Sequence, residues 1–162
     1  MSLRTDKRRR SEGKTDYKLR FGLLKSGKQR IVIRRTNKYF IVQAVESQEA
    51  KDKVISSVTS KDLIKEGWDK KFEGSLKNVS AGYLTGLLAA KKFGKKEFII
   101  DLGMARTIDG NRLFSVVKGL FDGGVKINVN ERVFPSEERI NGEHLKEEVK
   151  SMISKLKAKL MK

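Results

Sequence analysis

The chain has 162 residues, which is enough for one domain with a hydrophobic core and extensions but too short for two full domains. Its net charge of +17 favours a polyanionic partner, for which a nucleic acid and an anionic membrane surface are the two candidates. No apolar run approaches the roughly 18 residues of a membrane-spanning helix, and no apolar segment follows the basic N-terminus as in a secretory signal, so we expect no membrane partner. The chain contains no Cys and one His, which argues against disulfides, thiol chemistry and a zinc site.

The first quarter of the chain is its most basic part. Fourteen of residues 1–38 are Lys or Arg and three are Asp or Glu, so this segment holds +11 of the net +17. Residues 1–20 have almost no apolar content and no periodicity, which predicts a disordered or weakly helical basic arm. Phe21–Leu24 is expected to attach this arm to the core, and residues 26–28, Ser-Gly-Lys, are expected to form a turn.

Three strands are predicted next. Residues 29–36 and 39–46 are rich in β-branched and aromatic side chains, and the intervening Asn37-Lys38 predicts a tight hairpin because Asn tolerates the left-handed conformation. Residues 53–60 predict a third strand, so the three form an antiparallel meander. The polar residues 60–75, with a few apolar anchors, predict a short helix and a loop.

Apolar residues at helical spacing predict three amphipathic helices in the rest of the chain. The first spans residues 76–94, and the second begins at Asp109 or Gly110 and ends at Gly123. A C-terminal helix is predicted to begin at Asn141, whose side chain can cap it.

Two short apolar runs, residues 97–102 and 125–129, predict further strands, and residues 130–139 predict an irregular segment. The fold class is therefore α/β, with a mixed sheet of about five strands and packed helices. The ribonuclease-H-like arrangement, with strand order 3-2-1-4-5, is one such architecture. The predicted division is a basic N-terminal arm (residues 1–20), an α/β core domain (residues 21–135) and a mostly helical C-terminal extension (residues 136–162).

The stretch DLGMARTIDGNRLF, residues 101–114, resembles an active-site loop. Asp101 ends an apolar strand before two glycines and a helix, where many α/β enzymes have a catalytic carboxylate. A two-metal nuclease needs several converging carboxylates, but the predicted first strand, QRIVIRRT, has arginines where an acid would be needed. We therefore predict that Asp101 caps or turns the chain.

The same stretch lacks the motifs of a P-loop and of a dinucleotide-binding fold. Its glycines and following helix, with Arg106 and Arg112, still suit one RNA backbone phosphate. A purely structural turn is the alternative interpretation.

The basic arm is a stronger indication of function because its charge continues onto the predicted strands. Arg30, Arg34, Arg35 and Lys38 extend one sign of charge from the arm onto a folded surface, as binding to a phosphate backbone requires. Tyr17 could stack on an unpaired base.

Four collinear pieces of the chain indicate a family. They are TDYKLRFGLLKSGKQRIVIRRTNKYFIVQ, SAGYLTGLLAAKKF, DLGMARTIDGNRLFSVVKGLFDGG and ERVFP. Over roughly residues 5–145 the chain resembles the archaeal branch of the L-eighteen family of large-subunit ribosomal proteins, whose eukaryotic relative carries 5S rRNA. The resemblance implies a cytoplasmic, non-enzymatic protein of the central protuberance, with a ribonuclease-H-like core and no cofactor. It also implies contacts with 5S rRNA, 23S rRNA and a neighbouring ribosomal protein of the 5S particle.

The resemblance also implies which residues bind rRNA. In the arm they are Arg8, Arg9, Arg10, Lys14, Thr15, Asp16, Tyr17 and Arg20. In the basic turn and strands they are Lys25, Ser26, Lys28, Arg30, Arg34, Arg35, Asn37 and Lys38. In the later loop and helix they are Arg106, Thr107, Asn111, Arg112 and Lys118.

The predicted function is structural: binding of 5S rRNA and its attachment to 23S rRNA in the large ribosomal subunit, with no small-molecule substrate, metal or catalysis. A metal-dependent nuclease or other RNA-processing enzyme on a ribonuclease-H-like core is the first alternative. A basic RNA chaperone without a dedicated RNA is the second.

Overall fold

A computed structural model of the chain describes residues 5–48 and 51–161. Residues 1–4 of the predicted arm and Lys162 of the predicted C-terminal extension lie outside the described residues. The strands are β1 (Arg30–Arg35), β2 (Phe40–Gln48), β3 (Lys51–Thr59) and β4 (Ile99–Asp101). The helices are α1 (Arg8–Ser11), α2 (Tyr17–Lys25), α3 (Asp62–Glu66), α4 (Val79–Phe93), α5 (Arg112–Asp122), α6 (Glu137–Asn141) and α7 (Glu147–Met161), with 3-10 helices at Lys70–Ser75 and Glu131–Val133.

The strands form one mixed sheet in the order β3-β2-β1-β4. Both β1–β2 and β2–β3 are antiparallel, whereas β1 and β4 are parallel. Thr36 closes the first hairpin, because its hydroxyl accepts a hydrogen bond from the Tyr39 N–H at 3.0 Å and donates one to the Tyr39 carbonyl at 2.8 Å. The α/β class, the meander and the hairpin at residues 37–38 are confirmed.

The predicted fifth strand, residues 125–129, is wrong as a strand. The segment makes one isolated parallel bridge, Lys126 with Glu97, and its backbone hydrogen bonds there are Phe98 N–H to Lys126 O and Lys126 N–H to Lys96 O. The bridge lies just before β4, and β4 has only three residues before the chain turns at Gly103, so no longer ladder forms. The four strands that do form keep the order 3-2-1-4, which is compatible with a ribonuclease-H-like core.

Helices α4 and α5 cover one face of the sheet. Alternate β1 and β2 residues, including Ile31, Ile33 and Val42, point into a cluster with apolar residues of these helices. The two helices pack closely because glycines line their contact: a Cβ on Gly86 would lie 2.2 Å from the Val116 carbonyl oxygen. The opposite side of α4 packs in a second cluster with residues of α6 and α7. Helix α4 is thus buried on both sides.

Several predicted helix boundaries are corrected. Of the two forms predicted for the arm, disordered or weakly helical, residues 17–25 adopt the helical one and continue it beyond residue 20, and Asp16 caps this helix by accepting hydrogen bonds from two backbone N–H groups. Asn141 does not begin the C-terminal helix, because it ends the separate α6, after which Gly142 adopts the left-handed conformation. The second amphipathic helix begins after Asn111, which caps α5.

Within residues 5–48 and 51–161, none of the helices is both long enough and apolar enough to cross a lipid bilayer.

Candidate nucleic-acid interface

A cluster of ion pairs lies at the edge of the sheet where β1 and β4 run side by side. Because residues of a strand alternate between its two faces, Arg30 and Arg34 point away from the face that holds Ile31 and Ile33. The parallel register pairs Val32 with Asp101, which places that carboxylate between the two arginines. The topology thus joins residues that are about 70 positions apart in the chain.

Arg30 is the most deeply buried charge of this cluster, with 1% of its side chain exposed. Its guanidinium lies 3.1 Å from Asp101 Oδ2, 2.8 Å from Ser47 Oγ and 2.7 Å from Asp52 Oδ1. A buried guanidinium needs such a set of acceptors to offset its desolvation. Arg30 therefore links β1 to each of the other three strands and has no surface from which to contact a phosphate.

Arg34 fixes the loop that follows β4. Its guanidinium donates to the Asp101 carbonyl at 2.7 Å and to Asp101 Oδ1 at 2.9 Å, and the Gly103 N–H donates to the same Oδ1 at 2.8 Å. Gly103 has φ +63°, which favours glycine, and a Cβ there would lie 2.9 Å from the Arg34 Cζ and would displace the guanidinium from Asp101. The chain is thereby turned at Asp101, in agreement with the interpretation of this residue as structural.

Both carboxylate oxygens of Asp101 are engaged by Arg30, Arg34 and the Gly103 N–H. Within the described parts of the chain, no three His, Asp or Glu side chains converge as ligands for a metal ion. A carboxylate so occupied serves the fold and not a hydrolytic reaction.

Asp52 extends the cluster to helix α2, through Arg20, whose guanidinium lies 2.9 Å from Asp52 Oδ2. Burial raises the pKa of Asp52, but hydrogen bonds from Ser47 and Arg20 and the attraction of Arg30 and Arg20 outweigh it, so the pKa lies below its usual range. This ion pair connects the N-terminal helix to the sheet.

The Asp52 pairing is expected to make stability depend on acidity. A carboxyl whose pKa is lower in the folded than in the unfolded state adds stability above its unfolded pKa of about 3.9, and this gain is lost as the pH falls through the folded pKa. Asp52→Asn should therefore lower the free energy of unfolding most at neutral pH, with a gap to the wild type that narrows below about pH 4. Urea unfolding of both proteins from pH 7 to pH 3 measures this gap. A gap that stays constant over that range contradicts the prediction.

A cationic cavity lies beside this cluster. It has a volume of about 660 Å³ and is formed by the end of β1, the loop between β4 and α5, the start of α5, Lys14 and α6. Its charged lining residues are Lys14, Arg34, Arg35, Arg106, Arg112 and Arg139. No Asp or Glu of the described residues lines it. A smaller cavity of about 150 Å³ shares Lys14, Arg34 and Met104 with it and extends toward α2.

The cavity holds charge that the fold does not neutralise. Among the ion pairs of the described residues, none involves Arg35, Arg106, Arg112 or Arg139. These four exposed arginines face a common space without a counter-charge, which an anionic partner would supply.

The predicted rRNA-binding residues differ in their accessibility. The exposed ones are Arg8, Arg9, Arg10, Lys14, Asp16, Lys25, Ser26, Lys28, Arg35, Asn37, Lys38, Arg106, Thr107 and Arg112. The half-buried ones are Thr15, Tyr17, Arg20, Arg34, Asn111 and Lys118, and Arg30 is buried. The structure brings Lys14, Arg34, Arg35, Arg106, Asn111 and Arg112 together at the cavity. It does not bring the hairpin tip, residues 37–38, into that lining.

Several of these residues already have partners within the fold. Arg9 donates to Thr15 Oγ1 at 2.9 Å, and Lys7 lies 4.8 Å from the centroid of the Tyr17 ring, so the arm folds on itself. Lys28 pairs with Glu97.

Lys118 is neutralised by two acids, Glu137 at 3.1 Å and Asp122 at 3.6 Å. Burial lowers its pKa, but the hydrogen bond to Glu137 and the attraction of both acids outweigh this and hold the pKa above its usual value. Lys118 thus joins α5 to α6 and leaves little charge for a partner.

Three residues of the cavity were missed from the sequence: Arg139, Met104 and Ile108. Arg139 lies in a segment predicted to be irregular, whereas the structure places it in α6. Met104 and Ile108 are exposed apolar residues within a short loop, where no periodicity distinguishes them.

The fold and the site together define a class, a strongly basic α/β binding protein.

A sequence model of the family described as "Ribosomal large subunit proteins 60S L5, and 50S L18" matches residues 2–98. The proteins named "Large ribosomal subunit protein uL18" of Korarchaeum cryptofilum and Methanoregula boonei are 47% and 43% identical to the chain over 141 residues. Each alignment covers 85% of this chain, with 70% of the Korarchaeum and 79% of the Methanoregula protein. The protein of the same name from Aeropyrum pernix is 42% identical over 142 residues, 85% of this chain and 64% of its own length.

The chain therefore belongs to this family of large-subunit ribosomal proteins, whose members are components of the ribosome and not enzymes. The family resemblance found in the sequence is confirmed, and the nuclease alternative is set aside.

Proposed function

We propose that this protein is a structural constituent of the large ribosomal subunit that binds 5S rRNA and helps to attach it to 23S rRNA in the central protuberance. The observation that supports this most directly is the cavity of about 660 Å³ lined by six cations and by no acid of the described residues. A neighbouring ribosomal protein of the 5S particle is the proposed protein partner. The proposed division into arm (residues 1–20), core (residues 21–135) and C-terminal extension (residues 136–162) assigns the densest charge to the arm.

The proposed contact surface consists of the accessible cations of the arm, the basic turn, the end of β1 and the loop before α5. A-form RNA hides its major-groove edges, so recognition is expected to use phosphates, 2′-hydroxyls and unpaired bases. Arg30 and Lys118 are not assigned to this surface, because both are occupied by acids within the fold. We assign them to positioning the surface instead.

Replacing two unpaired cations of the cavity, Arg106→Gln with Arg112→Gln, should weaken 5S rRNA binding and its salt dependence together. Each lost phosphate contact should reduce the slope of log K against log salt by roughly 0.7–0.9, which is about a five- to eightfold loss of affinity at about 0.1 M salt. Filter binding of full-length protein to 5S rRNA across a salt series measures both quantities.

The matched control removes two cations elsewhere. Lys70→Gln with Lys71→Gln alters the exposed 3-10 helix at residues 70–75, whose residue Lys71 lies in a groove with α7 and not in the cationic cavity. This control should change the slope little. If the Arg106 and Arg112 variant kept the wild-type slope and affinity, the cavity would not bind the RNA.

Competition separates a dedicated 5S partner from general basic binding. Unlabelled 5S rRNA should displace labelled 5S rRNA at far lower concentration than an unrelated structured RNA of equal length does, because contacts to phosphates alone cannot distinguish the two. Equal competition by both RNAs would favour the chaperone alternative.

A further inference from the structure

We propose that the cationic cavity binds one unstacked nucleotide, with its base against Met104 and Ile108 and its flanking phosphates at Arg35, Arg106 and Arg112. This inference rests on the proposed function and names the part of the RNA that enters the site. The cavity would then be a binding site for an unstacked base and not only a positively charged surface.

The inner surface of the cavity suits the face of a base. Ile33, Val79 and Leu113 lie at the bottom of the cavity and are almost fully buried, so its accessible apolar surface is that of the residues above them. Met104 and Ile108 stand at its wall with 59% and 53% of their surface exposed. Apolar side chains that stay exposed beside a polar rim mark a binding surface, and extruded bases are held between such side chains.

The rim suits the phosphates on either side of that base. Arg35 ends β1, Arg106 lies in the loop after β4, and Arg112 begins α5, so three separate elements present guanidinium groups around one opening. None of the three forms an ion pair among the described residues. The hydrogen bonds of Arg34 to Asp101 hold the loop in place, so the opening is formed before RNA binds.

The size and chemistry of the cavity exclude simpler occupants. A phosphate alone would use the arginines and leave the exposed Met104 and Ile108 uncovered, and a double helix would offer these side chains no unstacked base. That volume lies within the range of roughly 300–1,000 Å³ typical of sites for small organic ligands. A nucleotide combines a flat apolar face with anionic flanks, which matches both parts of the lining.

Methionine methyl groups provide a direct test. The chain has four Met, so protein labelled with ¹³C at the methionine methyls gives few signals, and Met104→Leu identifies the one from the cavity. Titration with the ribotrinucleotide ApApA should shift the Met104 signal upfield through the ring current of the base. The same trinucleotide with an abasic central position should shift it much less, and Met161, 54% exposed in α7, should not respond to either. Equal shifts with both oligonucleotides, or no shift at Met104, would overturn the proposal.

A second measurement uses full-length 5S rRNA and matched variants. Met104→Ser with Ile108→Ser should weaken binding on the order of tenfold, the effect expected for one stacked base, and should leave the salt slope unchanged since no cation is lost. Met161→Ser with Ile55→Ser removes side chains of 54% and 51% exposure outside the cavity and should bind within about twofold of wild type.

The outcomes separate this inference from the function on which it rests. If the Met104 and Ile108 variant binds like wild type while the Arg106 and Arg112 variant loses affinity, the cavity contacts RNA but does not bind an unstacked base. If both variants bind like wild type, the inference and the proposed function of this site fail together.

Discussion

Asp101→Ala is expected to lower the free energy of unfolding by about 3 kcal/mol or more, because it leaves a buried guanidinium short of its acceptor. Arg30 would keep Asp52 and Ser47, which places the loss toward the lower end of the usual range for breaking a buried pair. Arg34 would also lose its carboxylate partner. The Gly103 N–H, in the loop after β4, would lose its acceptor, Asp101 Oδ1. Denaturant unfolding followed by circular dichroism measures the change.

A control substitution lies in the same loop. Asp109 is exposed and belongs to none of the ion pairs of the described residues, so Asp109→Ala should change the free energy of unfolding by less than about 0.5 kcal/mol. Equal losses for the two variants would show that Asp101 acts only through general electrostatics. A double-mutant cycle with Arg30→Met should give a coupling energy of about 0.5–3 kcal/mol, as expected for residues in one network.

The Asp101→Ala variant also distinguishes residues that position the RNA-binding surface from residues that contact RNA. The removal of Asp101 takes away no cation, so the Asp101→Ala protein, at a temperature where it remains folded, should bind 5S rRNA more weakly with nearly the wild-type salt slope. A reduced slope instead would mean that loss of Asp101 displaces a cation from the RNA.

Gly119→Ala should destabilise the protein by about 3 kcal/mol or more, because the added Cβ would clash with the backbone of α4. An added Cβ would lie 2.1 Å from the Tyr83 carbonyl oxygen and 3.0 Å from the Gly86 Cα, and both are main-chain atoms of α4. Such atoms cannot move aside as a flexible side chain can, so the two helices would have to separate. Gly86→Ala should behave alike, since its Cβ would meet the Val116 carbonyl oxygen at 2.2 Å.

A third helical glycine provides a control for which the opposite change in stability is expected. Gly22 lies in α2 with nothing within 4 Å of a built Cβ, so Gly22→Ala should stabilise the protein by about 0.5–1 kcal/mol through the lower entropy of the unfolded chain. In thermal unfolding, the melting temperature should therefore fall for Gly119→Ala and Gly86→Ala and rise for Gly22→Ala. A stabilised Gly119→Ala protein would contradict the close packing of α4 and α5.

The sequence predicts those parts of the fold that depend on local patterns. Alternation marks β1 to β3, helical spacing marks α4 and α5, and the absence of partner acids identifies Asp101 as structural. The partners of Asp101 are not predictable in this way, since they come from the parallel register of β1 with β4. Arg30 is buried, although it resembles Arg34 and Arg35 in the sequence, because it alone of the three also contacts Ser47 of β2 and Asp52 of β3.

Other differences between expectation and structure also have local causes. Helix α2 begins at the cap formed by Asp16 and is tied to β3 by the Arg20–Asp52 ion pair, neither of which apolar periodicity reports. The alternation of residues 125–129 indicates a strand, but three-residue β4 offers it too short an edge. Arg139 reaches the cavity only because α6 packs against α4, a contact that no short-range pattern reports.

Helix α4 contributes to both hydrophobic clusters, with the sheet on one side and α6 and α7 on the other. Because a single helix is the common wall of two cores, neither core retains its apolar contacts when the other opens. The two cores should therefore unfold as one cooperative unit. Proteases that cleave unfolded segments would then reach residues of both cores or of neither.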